Sequence, residues 1–153
     1  MEDLLFWKLV TYTGNYTVIV GLCVILGIYF YKFAKEYKKF YWCLVGSVLS
    51  SAIIVNLIKS ITQVPRPSNS AIETYTSSFP SGHSAVAFSF YFLAWLLFYK
   101  NNNIITNTIL LTLVFLLPLS RVFLNAHRLN EVIVGSIIGL VAATAFYKLS
   151  KRL

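Results

Sequence analysis

The sequence predicts an all-α fold: an integral membrane helical bundle of five transmembrane helices, with a short N-terminal interfacial helix ahead of them. Three observations predict it. Of 153 residues, 58% are hydrophobic and 12% charged, whereas a soluble domain carries about 25% charged residues. Five stretches approach the roughly 20 apolar residues that a spanning helix requires. The basic residues also divide unevenly between the two sides those stretches define. The whole chain, residues 1–153, reads as one membrane-embedded domain.

The chain opens Met1-Glu2-Asp3, with acids where a signal peptide carries its basic region. No small-residue cleavage site follows, so the first apolar run is expected to remain as an anchor. Residues 4–10 are too short to span, and their apolar character with Trp7 suits a helix in the headgroup region; a frayed terminus is the alternative. The spans follow at 15–33, 40–58, 81–99, 104–119 and 129–148. In the last three the apolar core is near the lower limit for crossing, so their ends belong in the interface. The run Asn101-Asn102-Asn103 reads as a turn. Gly135, Gly139 and Ala143 place a small residue every four along the fifth span, and Gly46 and Ser50 do so in the second. Such stripes let backbones approach closely and read as packing. Cys23 and Cys43 lie in apolar runs and read as free buried thiols, with no metal-ligand spacing.

Five spans alternate the connections between two sides. One side holds Lys32, Lys35, Lys38, Lys39, Lys100, Lys148, Lys151 and Arg152 against Glu36, a net of +7. The other holds Lys8, Lys59, Arg66, Arg121 and Arg128 against Glu2, Asp3, Glu73 and Glu131, a net of +1. The first side is therefore predicted to be cytoplasmic. The overall charge of +8 does not indicate nucleic acid, because the cations are not gathered on one polar domain.

Three polar strings interrupt the apolar chain: Lys59-x6-Arg66-Pro67, Pro80-Ser81-Gly82-His83 and Ser120-Arg121-x5-His127-x3-Glu131. All three fall on the less basic side. Cations and imidazoles are costly near lipid, so their collection at helix ends invites a functional explanation. Lys59 ends the second span, and Pro65 and Pro67 stop the helix, so the chain turns and Arg66 can fold back over Lys59. Arginine grips phosphate through a planar fork and lysine as a point charge; alone, the pair reads equally as two snorkelling cations. In the second string, Pro80 fits the first turn of a helix capped by Ser77 or Ser78. Ser81 and Gly82 then present free backbone N–H groups, an anion site at a helix N-terminus. His83 is in reach as a proton donor, although a lone histidine is more often a hydrogen-bonded loop residue. The third string starts after Pro118, at the end of the fourth span. Arg121 is a further clamp. Glu131, four residues after His127, can accept Nδ1–H and leave Nε2 free to attack; an i,i+4 ion pair is the plain alternative. Arg128 reads as a headgroup anchor. Lys59, Arg66 and Arg121 would repel one another if brought together, and a phosphate with up to about two negative charges offsets them.

These strings resemble the signature of the type 2 phosphatidic acid phosphatases of the vanadium-haloperoxidase superfamily: Lys-x6-Arg-Pro, Pro-Ser-Gly-His and Ser-Arg-x5-His-x3-Asp. Ten of the eleven fixed residues are present, and the strings cover residues 59–131, 73 of 153. The resemblance implies that His127 attacks phosphorus to form a phosphohistidine. It implies that His83 protonates the leaving group and that Lys59, Arg66, Ser81, Gly82 and Arg121 hold the phosphate. Water then hydrolyses the intermediate, with no metal and no cofactor. The sequence departs in having Glu131 where the family has Asp, and since hydrolase triads use either acid, activity is expected to be retained. Members commonly have six spans; here the first is reduced to the N-terminal segment.

The expected function is metal-independent hydrolysis of a membrane lipid phosphomonoester or diphosphate at the periplasmic or exterior face of a bacterial inner or cell membrane. Undecaprenyl diphosphate, phosphatidic acid and phosphatidylglycerol phosphate are the candidate substrates. A non-catalytic module that binds anionic headgroups and a lipid phosphotransferase are the alternatives.

Overall fold

A computed structural model describes residues 2–72, 76–99 and 103–152. Among them the chain is all-helical: α1 (Glu2–Thr13), α2 (Tyr16–Lys32), a short 3-10 helix (Lys35–Tyr37), α3 (Lys38–Thr62), α4 (Gly82–Phe98), α5 (Ile104–Phe123) and α6 (Leu129–Ser150). Polar residues punctuate these apolar helices. Asn15 caps α2 by accepting from Thr17 N–H, and Asn103 caps α5 by accepting from Thr106 N–H at 3.1 Å. Gln63 ends α3 in the left-handed region at φ 46°, its N–H donating to the Lys59 carbonyl at 3.1 Å. Asn101 and Asn102 of the predicted turn, with Lys100 and Glu73, lie outside the described residues.

The bundle is organised around α4, which packs most extensively on α6 and then on α5 and α3. Val86, Ala87, Phe90 and Leu93 of α4 join Leu44, Val48, Val114, Leu117 and Ala143 in one core. The small-residue stripe serves this contact. A Cβ at Gly139 would lie 2.9 Å from Phe88 Cβ and 3.0 Å from Ser89 N, and one at Gly135 would strike the Ser81 carbonyl. On α3, a Cβ at Gly46 would collide with the Phe146 ring. Overpacking at such points costs about 1–3 kcal/mol. The outward faces stay apolar: Val24 and Ile28 of α2, Ile53 and Leu57 of α3, Ile109 and Phe115 of α5, and Ile133 and Ile137 of α6 are all exposed. Lipid is the solvent that matches such a surface.

On length and hydropathy, α3, α5 and α6 can each cross a bilayer, and α1 with α2 passes the same test as one span bent by 45°. The structure thus supports three to four candidate spans where the sequence predicts five. The difference lies in α4 and α2. With 17 residues, α4 rises about 26 Å, short of the roughly 30 Å hydrocarbon core; enclosed by its neighbours, it has little need to match lipid. The N-terminal segment is a helix of 12 residues and is not frayed: Trp7 stacks on Phe123 with ring centroids 4.2 Å apart, and Tyr91 Oη donates to the Thr13 carbonyl at 3.0 Å.

Two further boundaries are corrected. α5 does not end at residue 119 but runs through Pro118 to Phe123, which places Arg121 on its last turn; in such helices neighbours re-satisfy the groups a proline frees. The cap of α4 is Ser81 itself, accepting from Ser84 N–H at 3.4 Å, rather than Ser77 or Ser78, and Pro80 precedes the cap. Cys43 is buried and Cys23 half-buried, and both thiols are free.

Candidate active site

Backbone bonds gather the three strings at one end of the bundle. Ala71 N–H donates to the Leu124 carbonyl at 2.9 Å, tying the α3–α4 loop to the α5–α6 loop. Ser78 N–H donates to the Val64 carbonyl at 2.8 Å, closing the α3–α4 loop on itself. Ser81 N–H donates to the Glu131 carbonyl at 3.0 Å, fixing the start of α4 to the start of α6.

His127 and Glu131 are both buried in this cluster, at 3% and 1% exposure. His127 precedes α6, Arg128 is the N-cap, and Glu131 is the third helical residue. The carboxylate turns back on the helix start. Oε2 accepts from Arg128 N–H at 3.0 Å, from His127 Nδ1 at 3.0 Å and from the Ser78 hydroxyl. The pair therefore arises from capping geometry, not from a shared helix face. With Nδ1–H given to the carboxylate, Nε2 carries the lone pair, and it accepts from Arg66 Nη1 at 3.2 Å. Arg128, read from sequence as a headgroup anchor, meets Glu131 Oε1 through Nη1 at 3.2 Å.

Arg66 is held rigidly. Nε donates to the Thr76 carbonyl at 2.8 Å, Nη2 to Thr76 Oγ1 at 3.1 Å and Nη1 to the Ala126 carbonyl at 2.9 Å. Lys59 Nζ donates to the Ser77 carbonyl. Lys59 and Arg66 both line a cavity of about 550 Å³, together with Thr76 and Ser77. Arg121 is 2% exposed. Its Nη1 donates to Thr11 Oγ1 of α1 at 2.7 Å, while its Nε, also buried, has no acceptor among the described residues. A buried guanidinium donor without a protein acceptor is available to an anion that enters the site.

Electrostatics point the same way. Burial, followed by the charges of Arg66 and Arg121 and then of Lys59, holds the His127 pKa down at about 4 against the pull of the Glu131 hydrogen bond. All three cations thus act on this imidazole, which stays neutral at ordinary pH. Burial also lowers the Arg66 pKa, and Glu131 opposes that shift.

The second string departs in detail from expectation. Ser81 N–H is already engaged by Glu131, so the donors left at the start of α4 are those that follow it. Ser81 Oγ is shared with Ser84 Oγ at 2.8 Å. The space that a side chain would fill at Gly82 is occupied by Tyr16 Oη. Tyr16 packs edge-on against His83, with ring centroids 5.6 Å apart. His83 shares a second cavity, of about 460 Å³, with Arg121 and with Lys8, Thr11, Tyr12 and Asn15. Thr11 and Tyr16 escaped the sequence reading because each lies in an ordinary apolar helix, far from any string.

Such an arrangement can attack phosphorus with an oriented imidazole, neutralise phosphate oxygens with three cations and protonate a leaving oxygen from the His83 side. Over 98% of the chain and 77% of the other, the fold is similar to a transmembrane PAP2-type phosphatidylglycerolphosphate phosphatase from Bacillus subtilis, with a TM-score of 0.87 at 20% identity. It is also similar to LpxE from Aquifex aeolicus, with a TM-score of 0.75 at 24% identity over 95% of the chain and 85% of that protein. Comparison with curated proteins yields no match. The PAP2 superfamily model matches residues 40–153, a stretch that contains all three strings, and the chain accordingly belongs to the PAP2 superfamily of type 2 phosphatidic acid phosphatases, which are phosphoric ester hydrolases.

Proposed function

We propose that the protein hydrolyses a phosphoryl group from a membrane lipid through a phosphohistidine on His127. The observation that carries this reading is the two-sided hold on that imidazole: Nδ1 is 3.0 Å from the buried Glu131 carboxylate, and Nε2 is 3.2 Å from the Arg66 guanidinium. Nε2 forms the N–P bond as the P–O bond to the leaving group breaks, and the electron pair departs on oxygen, which takes a proton from His83. Water then cleaves the N–P bond and releases inorganic phosphate. Lys59, Arg66, Arg121 and the backbone donors at Gly82 offset the charge on the transferring phosphoryl group.

The reading places the site at the extracytoplasmic face, because the strings fall on the less basic side. It also keeps α2 and α4 as spans beside α3, α5 and α6, with α1 lying in the interface. A lipid headgroup then reaches the site while its tail stays in the bilayer. The alternative of an inactive headgroup-binding module loses its main support, since Glu131 reaches Nδ1 despite its extra methylene. Phosphate release in detergent from lipid phosphates tests the proposal. His127→Ala is expected to abolish turnover while leaving the fold intact; equal rates for the two proteins would end the catalytic reading.

A further inference from the structure

The three strings occupy one end of the bundle. The opposite end carries a cavity of about 490 Å³ that the proposed chemistry does not use. Its walls come from the start of α3 (Lys39, Phe40), the end of α4 (Leu96, Leu97) and the end of α6 (Tyr147, Lys151). Four of these side chains are apolar or aromatic. Ser150 also lines the cavity, but it is buried and its hydroxyl donates to the Tyr147 carbonyl at 2.8 Å within its own helix. Both ammonium groups rest on rings: Lys39 Nζ lies 5.2 Å from the Phe40 centroid and Lys151 Nζ 4.5 Å from that of Tyr147. Among the described residues neither meets a carboxylate. An aromatic face holds a cation but accepts none of its charge-assisted hydrogen bonds in full, so the ammonium donors stay available. Helix stability does not explain Lys39. It is the second residue of α3, whose first turn has no acid, and the helix dipole disfavours a cation there. Two cations with donors to spare beside an apolar wall, with Trp42 exposed one turn along α3, match an anionic headgroup whose tails lie in lipid.

We propose that this cavity binds an anionic phospholipid as a resident lipid rather than as a substrate. The phosphate oxygens accept from Lys39 and Lys151, and the acyl chains follow the apolar outer faces of the helices. The bound lipid ties α3, α4 and α6 together at the end opposite Lys59, His83 and Glu131, which the same three helices carry.

The test is thermal unfolding of the full chain in detergent micelles containing phosphatidylcholine, into which phosphatidylglycerol is titrated. That lipid is a phosphodiester and offers no phosphomonoester to remove. The unfolding midpoint is expected to rise and saturate. Lys39→Gln is expected to weaken the apparent affinity about fivefold, and Lys39→Gln with Lys151→Gln about thirtyfold. The midpoint in phosphatidylcholine alone should stay at the wild-type value. Lys39→Arg with Lys151→Arg is expected to keep the wild-type affinity. Lys32→Gln with Lys35→Gln removes two cations from the same end but outside the cavity, and so controls for a diffuse positive field. An equal loss in that control, or no loss in the cavity variant, overturns the site. Glycerophosphoglycerol, the headgroup without its tails, separates a lipid from a soluble anion. Stabilisation by this compound at the concentration at which the lipid acts overturns the assignment to a lipid.

Discussion

His127 Nδ1 and Glu131 Oε2 lie 3.0 Å apart because the same oxygen caps α6, accepting from Arg128 N–H at 3.0 Å. One carboxylate thus orients the imidazole and starts the helix that carries the site. Glutamate is the length that the third helical position needs to turn back on its cap. Glu131→Asp, although it restores the family's usual acid, is expected to withdraw the carboxylate from Nδ1 and to lower kcat/KM by up to about 10²-fold. Glu131→Gln removes the charge shared by three donors and is expected to lose at least as much. Steady-state kinetics on folded protein, checked by thermal unfolding, measures both.

The pH dependence follows from His127. Its pKa is held at about 4 by burial and by Arg66, Arg121 and Lys59, so the imidazole remains neutral until the pH falls to that region. The acid limb of kcat/KM, which reports the free enzyme, is expected well below the ordinary histidine value of about 6.5. Arg66→Gln removes the leading charge and should move that limb upward. The stability sign agrees: between about 4 and 6.5 the unfolded chain binds the extra proton, so stability is lost as pH falls through this window. A pH–rate profile of the two proteins checks the shift by its position, whatever the change in height.

Thr11 holds Arg121 from a helix outside the matched family region. Thr11→Val keeps the volume and removes the acceptor, leaving a second buried guanidinium donor unmet at about 1–3 kcal/mol. The expected result is a kcat/KM loss of about tenfold, by the tenfold-per-1.4 kcal/mol relation, and Thr11→Ser should recover most of it. A Thr11→Ser variant as impaired as Thr11→Val would mean that the methyl packing, not the hydrogen bond, matters.

The orientation is checked by labelling. Asn69 lies exposed in the loop that carries Arg66. In a background with Cys23 and Cys43 replaced by serine, Asn69→Cys should react with a membrane-impermeant maleimide in intact cells. Labelling that appears only after permeabilisation would invert the topology.

The residues of the proposed chemistry were legible in the chain because cations and imidazoles are costly in lipid, so their spacing in an oily sequence stands out. Lys59, Arg66, His83, Arg121, His127 and Glu131 could be named on those grounds, and the breaks at Pro65 and Pro67 and the packing role of Gly135 and Gly139 followed from backbone sterics. Spacing along one chain does not say which side chain meets which. That Ser78 and Arg128 serve Glu131 depended on the α3–α4 loop meeting the capped start of α6; that Thr11 braces Arg121, and that Tyr16 fills the space at Gly82, depended on α1 docking against α5 and α2 against α4. These contacts link residues as far as 110 positions apart. Their partners are common polar or aromatic types with no periodic pattern, so packing alone selected them.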